Sequence, residues 1–216
     1  MNRKKSQSEG RETHIMANGL LSPLKKDEKL IFFKQFLKHP LQIGSVIPSS
    51  PYLERRVLEM AEVHKCTTVV ELGSGTGGTT KAILACMPQD ATLLSIEINP
   101  RFHNIVRTIG DKRLIAHLGS AADLGAILDH YGLPNPDAII SGIPFSTMPE
   151  KLGKDIVFEI ARCLAHGGRF VAYQFSSKVS QLCNPVLGPC RKSMEILNIP
   201  PMRVYRWEKN GFKPTR

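Results

Sequence analysis

Residues 69–78 read Val-Val-Glu-Leu-Gly-Ser-Gly-Thr-Gly-Gly, an apolar run that enters a glycine-rich turn. The residues that follow, 79–84, have the composition of a helix. Glycine lets the backbone turn sharply and lets a ligand approach where a Cβ atom would clash. The stretch therefore predicts a strand, a ligand-binding turn and a helix in immediate succession.

Two acidic residues accompany this pattern. Glu71 comes just before the turn, and Glu97 ends the next apolar stretch, residues 92–97. A carboxylate at the carboxyl end of such a strand can accept hydrogen bonds from two ribose hydroxyls. The pair therefore predicts a nucleoside cofactor bound on an α/β sheet.

From Thr67 onward, apolar stretches that predict strands alternate with stretches that predict helices or loops. This alternation is typical of a mainly parallel sheet with helices on both faces, with the ligand at the carboxyl ends of its strands. The predicted strands lie near 67–72, 92–97, 113–118, 137–142, 168–175, 193–198 and 202–208. The predicted helices lie near 76–87, 101–110, 121–130 and 149–165, after one that begins at Ser49-Ser50-Pro51.

The part of the chain before the first strand divides into two segments. Residues 1–22 are polar and basic with little to bury, which is typical of a disordered tail. Residues 23–66 predict a helical segment, in which a helix at 24–38 carries phenylalanines on one side and lysines around the rest. That helix either packs on the sheet or lies in a membrane interface, with its lysines against anionic headgroups. Residues 67–212 then form the predicted cofactor-binding domain.

The chain of 216 residues is basic, with a formal net charge of +10 and a pI near 9.5. Such a charge suits nucleic acid or an anionic membrane, and composition alone does not choose between them. The sequence contains no recognised nucleic-acid-binding module, so nucleic acid is the less favoured partner. The five cysteines form no Cys-x-x-Cys pair, so neither a zinc site nor a disulfide framework is predicted. No apolar stretch reaches the roughly 18–20 residues that span a bilayer.

The glycine turn fits two cofactor motifs. Gly73, Gly75 and Gly78 satisfy Gly-x-Gly-x-x-Gly, the dinucleotide fingerprint. Glu71, Gly73, Gly75 and Gly77 satisfy Glu-x-Gly-x-Gly-x-Gly, which resembles the first motif of class I S-adenosylmethionine-dependent methyltransferases. The position of the acid, the sizeable segment before the first strand and the lack of a second domain for a hydride acceptor favour the second motif. We therefore expect a Rossmann-like class I methyltransferase fold, with a seven-stranded sheet and S-adenosyl-L-methionine as cofactor.

The predicted fourth strand leads into Ser141-Gly142-Ile143-Pro144. In the methyltransferase class this loop carries the acceptor's nucleophile toward the methyl group. Enzymes that methylate exocyclic base nitrogens have an asparagine where Gly142 stands, so the side-chain acceptor is missing here. N6-methylation of RNA adenine is therefore the disfavoured alternative.

Four blocks of the sequence resemble the bacterial phospholipid N-methyltransferases. They cover residues 36–50, 141–144, 173–175 and 198–204. The resemblance implies stepwise methylation of phosphatidylethanolamine towards phosphatidylcholine, with S-adenosyl-L-methionine as donor. It also implies a peripheral location on an anionic phospholipid membrane surface, at the cytoplasmic inner face.

The motifs and the resemblance together assign candidate site residues, with no metal among them. The predicted cofactor-binding residues are Ser49, Ser50, Glu71, Gly73, Ser74, Gly75, Gly77, Glu97, Ile98, Ser120, Ala121 and Ser141. The predicted catalytic residues are Ser141, Gly142, Ile143, Pro144 and Tyr173. The predicted substrate-binding residues are Phe145 and Phe175 for the methylated cation, and Lys178 and Arg191 for the phosphate.

Two points of this assignment stay open at the level of sequence. Ser120 stands where the class usually has an aspartate that holds the adenine amine, and a hydroxyl is a weaker acceptor than a carboxylate. The proton that must leave the acceptor ammonium could go to water, to the lipid phosphate or to Tyr173.

Overall fold

The computed structural model describes residues 49–198 and 201–210, and within them seven strands form one sheet. The strand order is β3-β2-β1-β4-β5-β7-β6. β1 to β5 pair in parallel, and β7 runs antiparallel to both of its neighbours. The strands are β1 Thr68–Leu72, β2 Thr92–Glu97, β3 Leu114–Leu118, β4 Ala138–Ser141, β5 Arg169–Gln174, β6 Arg191–Glu195 and β7 Met202–Glu208.

Helices cover both faces of this sheet. The helices of the described part are α1 Pro51–Ala61, α2 Gly78–Cys86, α3 Pro100–Arg107, α4 Leu124–His130, α5 Glu150–Cys163 and α6 Lys178–Leu187. Short 3-10 turns at Val63–Lys65 and Ala121–Asp123 precede β1 and α4. α1 and α2 pack on one face, and α4, α5 and α6 pack on the other, so the core consists of two apolar clusters with the sheet between them. The central strands β1 and β4 are buried along their whole length, which explains their continuous apolar sequence.

The predicted fold class, a mainly parallel seven-stranded sheet with helices on both faces, is confirmed. Two details of the prediction were wrong. The sixth strand begins at Arg191 and ends at Glu195, two to three residues earlier than expected at each end. The helix α6 was not predicted, and it contains Pro185, a residue type that normally interrupts a helix.

The predicted tail at 1–22 and the predicted amphipathic helix at 24–38 lie outside the described residues. The described part of the predicted N-terminal segment is α1 and the 3-10 turn after it. Leu53, Val57 and Ala61 of α1 are almost fully buried against the sheet, so α1 shares one core with the strands. In residues 49–198 and 201–210, no helix is both long and apolar enough to cross a membrane.

The strand order reverses at the centre of the sheet, where β1 lies between β2 and β4. Leu72 at the end of β1 pairs with Ile96 of β2 on one side and Ser141 of β4 on the other. The turns that follow these strands therefore meet at one edge. In open parallel sheets, ligands bind at such a crossover, outside the carboxyl ends of the strands.

Candidate active site

The glycine-rich turn after β1 has a backbone conformation that favours glycine. Gly73, Gly75 and Gly77 have φ angles of 79°, 52° and 83°. These angles are strained for a residue with a Cβ atom. A Cβ atom built on Gly75 would meet nothing within 4 Å, so the backbone faces open space that a ligand can enter.

Glu97, at the end of β2, holds this turn through its side chain. Its Oε2 accepts a hydrogen bond from the Gly75 N–H at 2.9 Å, and its Oε1 accepts one from the Asn99 N–H at 2.8 Å. Burial raises the pKa of Glu97, and the N–H groups of Asn99 and Gly75 counteract that rise. A carboxylate has about four lone-pair positions, and the N–H groups of Asn99, Gly75 and Ile98 use three of them, so one remains to accept from a ribose hydroxyl.

Glu71 lies beneath the turn and is 1% exposed. Its Oε2 accepts hydrogen bonds from the hydroxyls of Thr80 at 2.6 Å and Ser95 at 2.8 Å. Burial raises the pKa of Glu71 to about 7, and the hydroxyls of Thr80 and Ser95 offset only part of that effect.

Two buried polar atoms beside the turn have no hydrogen-bond partner among the described residues. They are Oε1 of Glu71 and the hydroxyl oxygen of Ser74. Buried polar atoms are normally satisfied by protein, water or a ligand. Orphaned atoms, an open glycine turn and a carboxylate at the end of β2 together fit a nucleoside cofactor with polar groups.

The end of β3 lies next to the end of β2, because the Gly119 N–H donates to the Glu97 carbonyl at 3.0 Å. The Ser120 hydroxyl accepts from the Ala122 N–H at 3.2 Å and so caps the 3-10 turn, while Ala121 is buried. Ile98 is 40% exposed at the same edge, where it offers an apolar surface. The roles of these three predicted residues toward adenine stay predictions.

The turn after β4 packs directly on the glycine turn after β1. The Gly142 N–H donates to the Leu72 carbonyl at 3.0 Å. A Cβ atom on Gly73 would stand 3.2 Å from Cγ1 of Ile143. The fully buried Ser141 accepts from the Ile143 N–H on its hydroxyl at 3.3 Å. The two turns are therefore fixed relative to each other at the edge of the sheet.

Tyr173, the penultimate residue of β5, fills the space beside Gly142. A Cβ atom on Gly142 would lie 2.5 Å from the Tyr173 hydroxyl oxygen and 3.1 Å from the Gly73 carbonyl oxygen. Any side chain at position 142 would therefore displace the tyrosine.

The Tyr173 hydroxyl is surrounded by other oxygen atoms. It hydrogen-bonds with the Thr79 hydroxyl at 3.3 Å and with the hydroxyl of Ser49. Burial raises the pKa of Tyr173 to about 12, and the charges of Glu71 and Glu54 act in the same direction. A phenol with this pKa stays protonated at neutral pH. Tyr173 is therefore suited to orient a ligand by hydrogen bonds rather than to take up a proton.

Ser49 and Ser50 have different hydrogen-bond partners near the site. Ser49 contacts Tyr173, as described above. The Ser50 hydroxyl caps α1 by accepting from the Leu53 N–H at 3.2 Å, and the Ser50 N–H donates to Oδ1 of Asn198 at 2.9 Å. The predicted anion-binding role of Ser50 stays a prediction, since its hydroxyl is already engaged by the helix.

Three residues near this edge were missed by the sequence analysis. Gln174 is buried at the end of β5 and donates from its amide to the Ile143 carbonyl, so it holds the loop at 141–144, which is the predicted acceptor loop. A polar residue that ends an apolar strand was the available signal. Thr79 and Glu54 gave no such signal, because their contacts with Tyr173 and Gly78 join elements that are distant in the sequence.

The predicted substrate-binding residues are not all at this edge. Phe145 is fully buried in the core on the α4–α6 face, so the ring that was predicted to bind the methylated cation has no exposed surface. Arg191 lies on the outermost strand β6, three strands or about 14 Å from β4, so it too is not brought to the site. Phe175 and Lys178 follow β5 and remain at the edge, both partly buried. Pro144, in the acceptor loop, is also partly buried.

Solved structures share this fold. The N-methyltransferase NodS of Bradyrhizobium japonicum, in complex with S-adenosyl-L-homocysteine, aligns with a TM-score of 0.61 at 11% identity, over 82% of this chain and 98% of that one. TrmN of Thermus thermophilus aligns with a TM-score of 0.60 at 18% identity, over 82% of this chain and 52% of that one. This chain thus spans about half of the Thermus protein. The strand order and these alignments define a class I methyltransferase fold.

Comparison with proteins of known function identifies a family within this class. The chain is 32% identical over 142 residues to the ornithine lipid N-methyltransferase of Singulisphaera acidiphila, a match that covers 65% of this chain and 74% of that protein. No protein-family model matches the chain. The chain belongs to the same family as this lipid N-methyltransferase and is an S-adenosylmethionine-dependent methyltransferase, with S-adenosyl-L-methionine as its cofactor.

Proposed function

We propose that this protein transfers methyl groups from S-adenosyl-L-methionine to the primary amine of a membrane lipid. The observation that carries the proposal is the 32% identity to an ornithine lipid N-methyltransferase. The four sequence blocks that resemble phospholipid N-methyltransferases support phosphatidylethanolamine as the acceptor, whereas the name of the relative suggests ornithine lipid. Both lipids carry a primary amine, and we take phosphatidylethanolamine as the first acceptor to test.

The geometry of the acceptor loop favours an alkyl amine over a nucleic-acid base. Position 142 has no room for a side-chain amide, because a Cβ atom there would lie 2.5 Å from the Tyr173 hydroxyl oxygen. A base amine would therefore lack the acceptor that such enzymes use. An aliphatic amine needs only one hydrogen bond to orient its lone pair, and we assign that bond to the Tyr173 hydroxyl.

The cofactor-binding role falls to the glycine turn and its carboxylates. We assign the ribose hydroxyls to Glu97, and the open backbone at Gly75 supports binding of the amino-acid part beside it. When bound, S-adenosyl-L-methionine supplies an electrophilic methyl group on a sulfonium. The loop at 141–144, held by the Gln174 side chain, positions the acceptor amine. Holding two reactants in a productive geometry can supply much of the rate of such a transfer.

The acceptor amine is protonated in water and must lose a proton before it can attack. Tyr173, with a pKa of about 12, is a poor proton acceptor at neutral pH. Of the candidates that the sequence offered, water and the lipid's own phosphate remain the proposed proton acceptors. Tyr173 then serves to direct the neutral amine toward the methyl group.

The membrane partner is proposed from charge and sequence pattern. The net charge of +10 favours an anionic phospholipid surface, and the predicted helix at 24–38, outside the described residues, carries lysines beside phenylalanines. Each lysine near such a surface can add about 1 kcal/mol of attraction. We propose a peripheral association with the cytoplasmic, inner face of the membrane.

Expression in a bacterium that makes phosphatidylethanolamine but no methylated lipids tests this function. We expect extracted lipids to gain species heavier by successive methyl groups, as measured by mass spectrometry. The Glu97→Ala variant, expressed at the same level, should leave the lipids unchanged. An unchanged phosphatidylethanolamine pool, with purified protein that still binds S-adenosyl-L-homocysteine, would reject this acceptor. A parallel host that makes ornithine lipid would then test the second amine.

A further inference from the structure

The turn that follows β6 has its polar side chains inside and its apolar side chains outside. Glu195 and Asn198 are buried, whereas Ile196 and Leu197 between them are 68% and 57% exposed. Met194, the penultimate residue of β6, is exposed as well. Single apolar residues are common on protein surfaces, but a turn that buries its polar residues and exposes several apolar ones reverses the usual pattern. Such a turn offers an apolar surface to a partner.

Contacts on the inner side hold the turn in this orientation. Oε1 of Glu195 accepts from the Leu197 N–H at 3.0 Å, and Oε2 of Glu195 lies 3.9 Å from Nε of Arg56 on α1. Oδ1 of Asn198 accepts from the Ser50 N–H at 2.9 Å. The turn is therefore attached to the start of α1 by its polar side chains, and its apolar side chains are left on the outer side.

The turn lies at the edge of the sheet that carries the candidate site. β7 is antiparallel to both β5 and β6, so β6 runs in the same direction as β5 and ends at the same edge. Arg203 of β7 pairs with Gln174 at the end of β5 on one side and with Met194 on the other. The turn after β6 therefore follows a residue that is level with the end of β5, two strand spacings or about 10 Å away.

The exposed charges around this turn are positive. The exposed charged side chains of β6 and β7 are all basic, namely Arg191, Lys192 and Arg203. The Arg203 guanidinium also donates a hydrogen bond to the Phe175 carbonyl, directly after β5. Basic side chains attract anionic headgroups, and apolar side chains beside them can enter the acyl boundary. Charge and exposed apolar surface therefore both fit an anionic bilayer.

We propose that Ile196 and Leu197, with Met194 beside them, insert into the surface of an anionic phospholipid bilayer. Insertion at this turn orients the edge of the sheet so that the carboxyl ends of the strands face the headgroups. The membrane contact then belongs to the described fold and is separate from the predicted helix at 24–38. The inference rests on the proposed function only for the choice of a bilayer as the partner.

Tryptophan fluorescence tests the inference directly, because the sequence contains one tryptophan and that residue, Trp207, is buried. Ile196→Trp adds a second tryptophan at the turn. Phe158→Trp is the matched control, since Phe158 is 62% exposed but lies on α5. With vesicles of phosphatidylethanolamine and phosphatidylglycerol, we expect the emission maximum of Ile196→Trp to move to shorter wavelength and that of Phe158→Trp to stay unchanged.

Sedimentation with the same vesicles measures how much the turn contributes to binding. The double variant Ile196→Ser, Leu197→Ser should lower the partition coefficient about tenfold, since burying even one such side chain is worth about that factor. Phe158→Ser should leave the partition coefficient unchanged. The replaced side chains are exposed, so the fold should be retained, and circular dichroism checks it.

The outcomes separate this inference from the proposed function. An unmoved emission maximum in Ile196→Trp, while wild type sediments with the vesicles, would assign the membrane contact to another surface and overturn the inference. Wild type that does not sediment would overturn it as well. Emission already at short wavelength without vesicles would show that protein covers the turn, either a second copy or residues before 49, and would also overturn it. A shift with vesicles in a protein that methylates no lipid would support the inference and reject the proposed function.

Discussion

Two glycines from distant parts of the chain meet at the centre of the site. Gly73 and Gly142 lie so close that a Cβ atom on Gly142 would come within 3.1 Å of the Gly73 carbonyl oxygen. The side chain of Tyr173 occupies the remaining space. The pair brings the cofactor turn and the acceptor loop together, and Tyr173 gives that junction its polar group.

Glu97→Ala should weaken cofactor binding at least tenfold while the protein stays folded. The change removes the carboxylate proposed to accept from ribose, and it leaves the N–H groups of Gly75 and Asn99 without their acceptor. Glu97→Gln keeps one acceptor oxygen and should show an intermediate loss. Calorimetric titration with S-adenosyl-L-homocysteine measures both affinities, and circular dichroism checks the fold. Wild-type affinity in Glu97→Ala would remove Glu97 from the site.

Gly142→Ala should lower the free energy of unfolding by about 1–3 kcal/mol, the usual effect of overpacking. The added methyl group would lie 2.5 Å from the Tyr173 hydroxyl oxygen, so the tyrosine must move. Urea unfolding measures the loss. In a Tyr173→Phe background, Gly142→Ala should lower the free energy of unfolding by less, because the hydroxyl oxygen that lies nearest to the added methyl group is absent. Equal losses in both backgrounds would show that the hydroxyl does not limit position 142.

Glu71→Gln should change how stability depends on pH. The pKa of Glu71 is about 7 in the folded protein against an ordinary value of 4.5, so the folded state binds the proton more tightly. Wild-type stability should therefore fall as the pH rises from about 4.5 to 7, by at most about 1.4 kcal/mol per pH unit from this group. Glutamine does not titrate, so the free energy of unfolding of the variant should rise relative to that of wild type as the pH increases from about 4.5 to 7.

Urea unfolding of both proteins at pH 5, 6 and 7.5 measures that difference. Glu59→Gln, in which the changed side chain is exposed on α1, serves as the control. A difference between Glu71→Gln and wild type that stays constant with pH would contradict the assigned protonation of Glu71.

At the scale of elements, α1 is the structure that links the N-terminal segment to the site. Ser50 caps this helix, Glu54 lies in its first turn, and its buried side packs under β5 and β7. The Asn198 side chain ties the start of α1 to the segment after β6. The placement of α1 therefore decides where Ser49 and Glu54 lie relative to Tyr173.

Ser50→Ala should cost about 1 kcal/mol of stability, the usual loss for a missing N-cap. The Ser50 hydroxyl accepts from the Leu53 N–H at 3.2 Å, and alanine removes that acceptor. Ser177→Ala is the matched control, because Ser177 precedes α6 but makes no side-chain capping bond. Urea unfolding compares the two variants. Equal losses would show that capping does not explain the role of Ser50.

Local sequence patterns predicted the strands and the turn, because each depends on neighbouring residues. The run at 69–78 and the acid Glu97 are placed at one edge of the sheet as expected. Contacts between distant elements left no local pattern, so the pairs Glu54–Gly78 and Gly142–Tyr173 were not foreseen.

Two predicted substrate-binding residues lie away from the expected edge of the sheet, and again contacts between distant elements are the reason. Arg191 was assigned to the site because it follows β5 in the chain, but β7 is inserted between β5 and β6 and moves it away. Phe145 was assigned as an aromatic residue in the acceptor loop, but the sequence does not tell which way a loop side chain points. The turn after Pro144 directs it into the core.

At the scale of the whole molecule, the charge and the site serve the same proposed task. A net charge of +10 favours association with an anionic surface, which is the partner proposed above. An attraction between exposed charges weakens with salt, since the Debye length falls to about 3 Å at 1 M. Lipid methylation should therefore need anionic lipid and decrease at high ionic strength.

The central claim is that the acceptor is a lipid amine, and one measurement tests it most directly. Purified protein is incubated with methyl-labelled S-adenosyl-L-methionine and vesicles of phosphatidylethanolamine and an anionic lipid, with parallel samples of ornithine lipid vesicles and of total RNA. The account predicts label in a lipid that carries a primary amine, and none in vesicles without one. Label in RNA alone, or in neither lipid while S-adenosyl-L-homocysteine still binds, would contradict it.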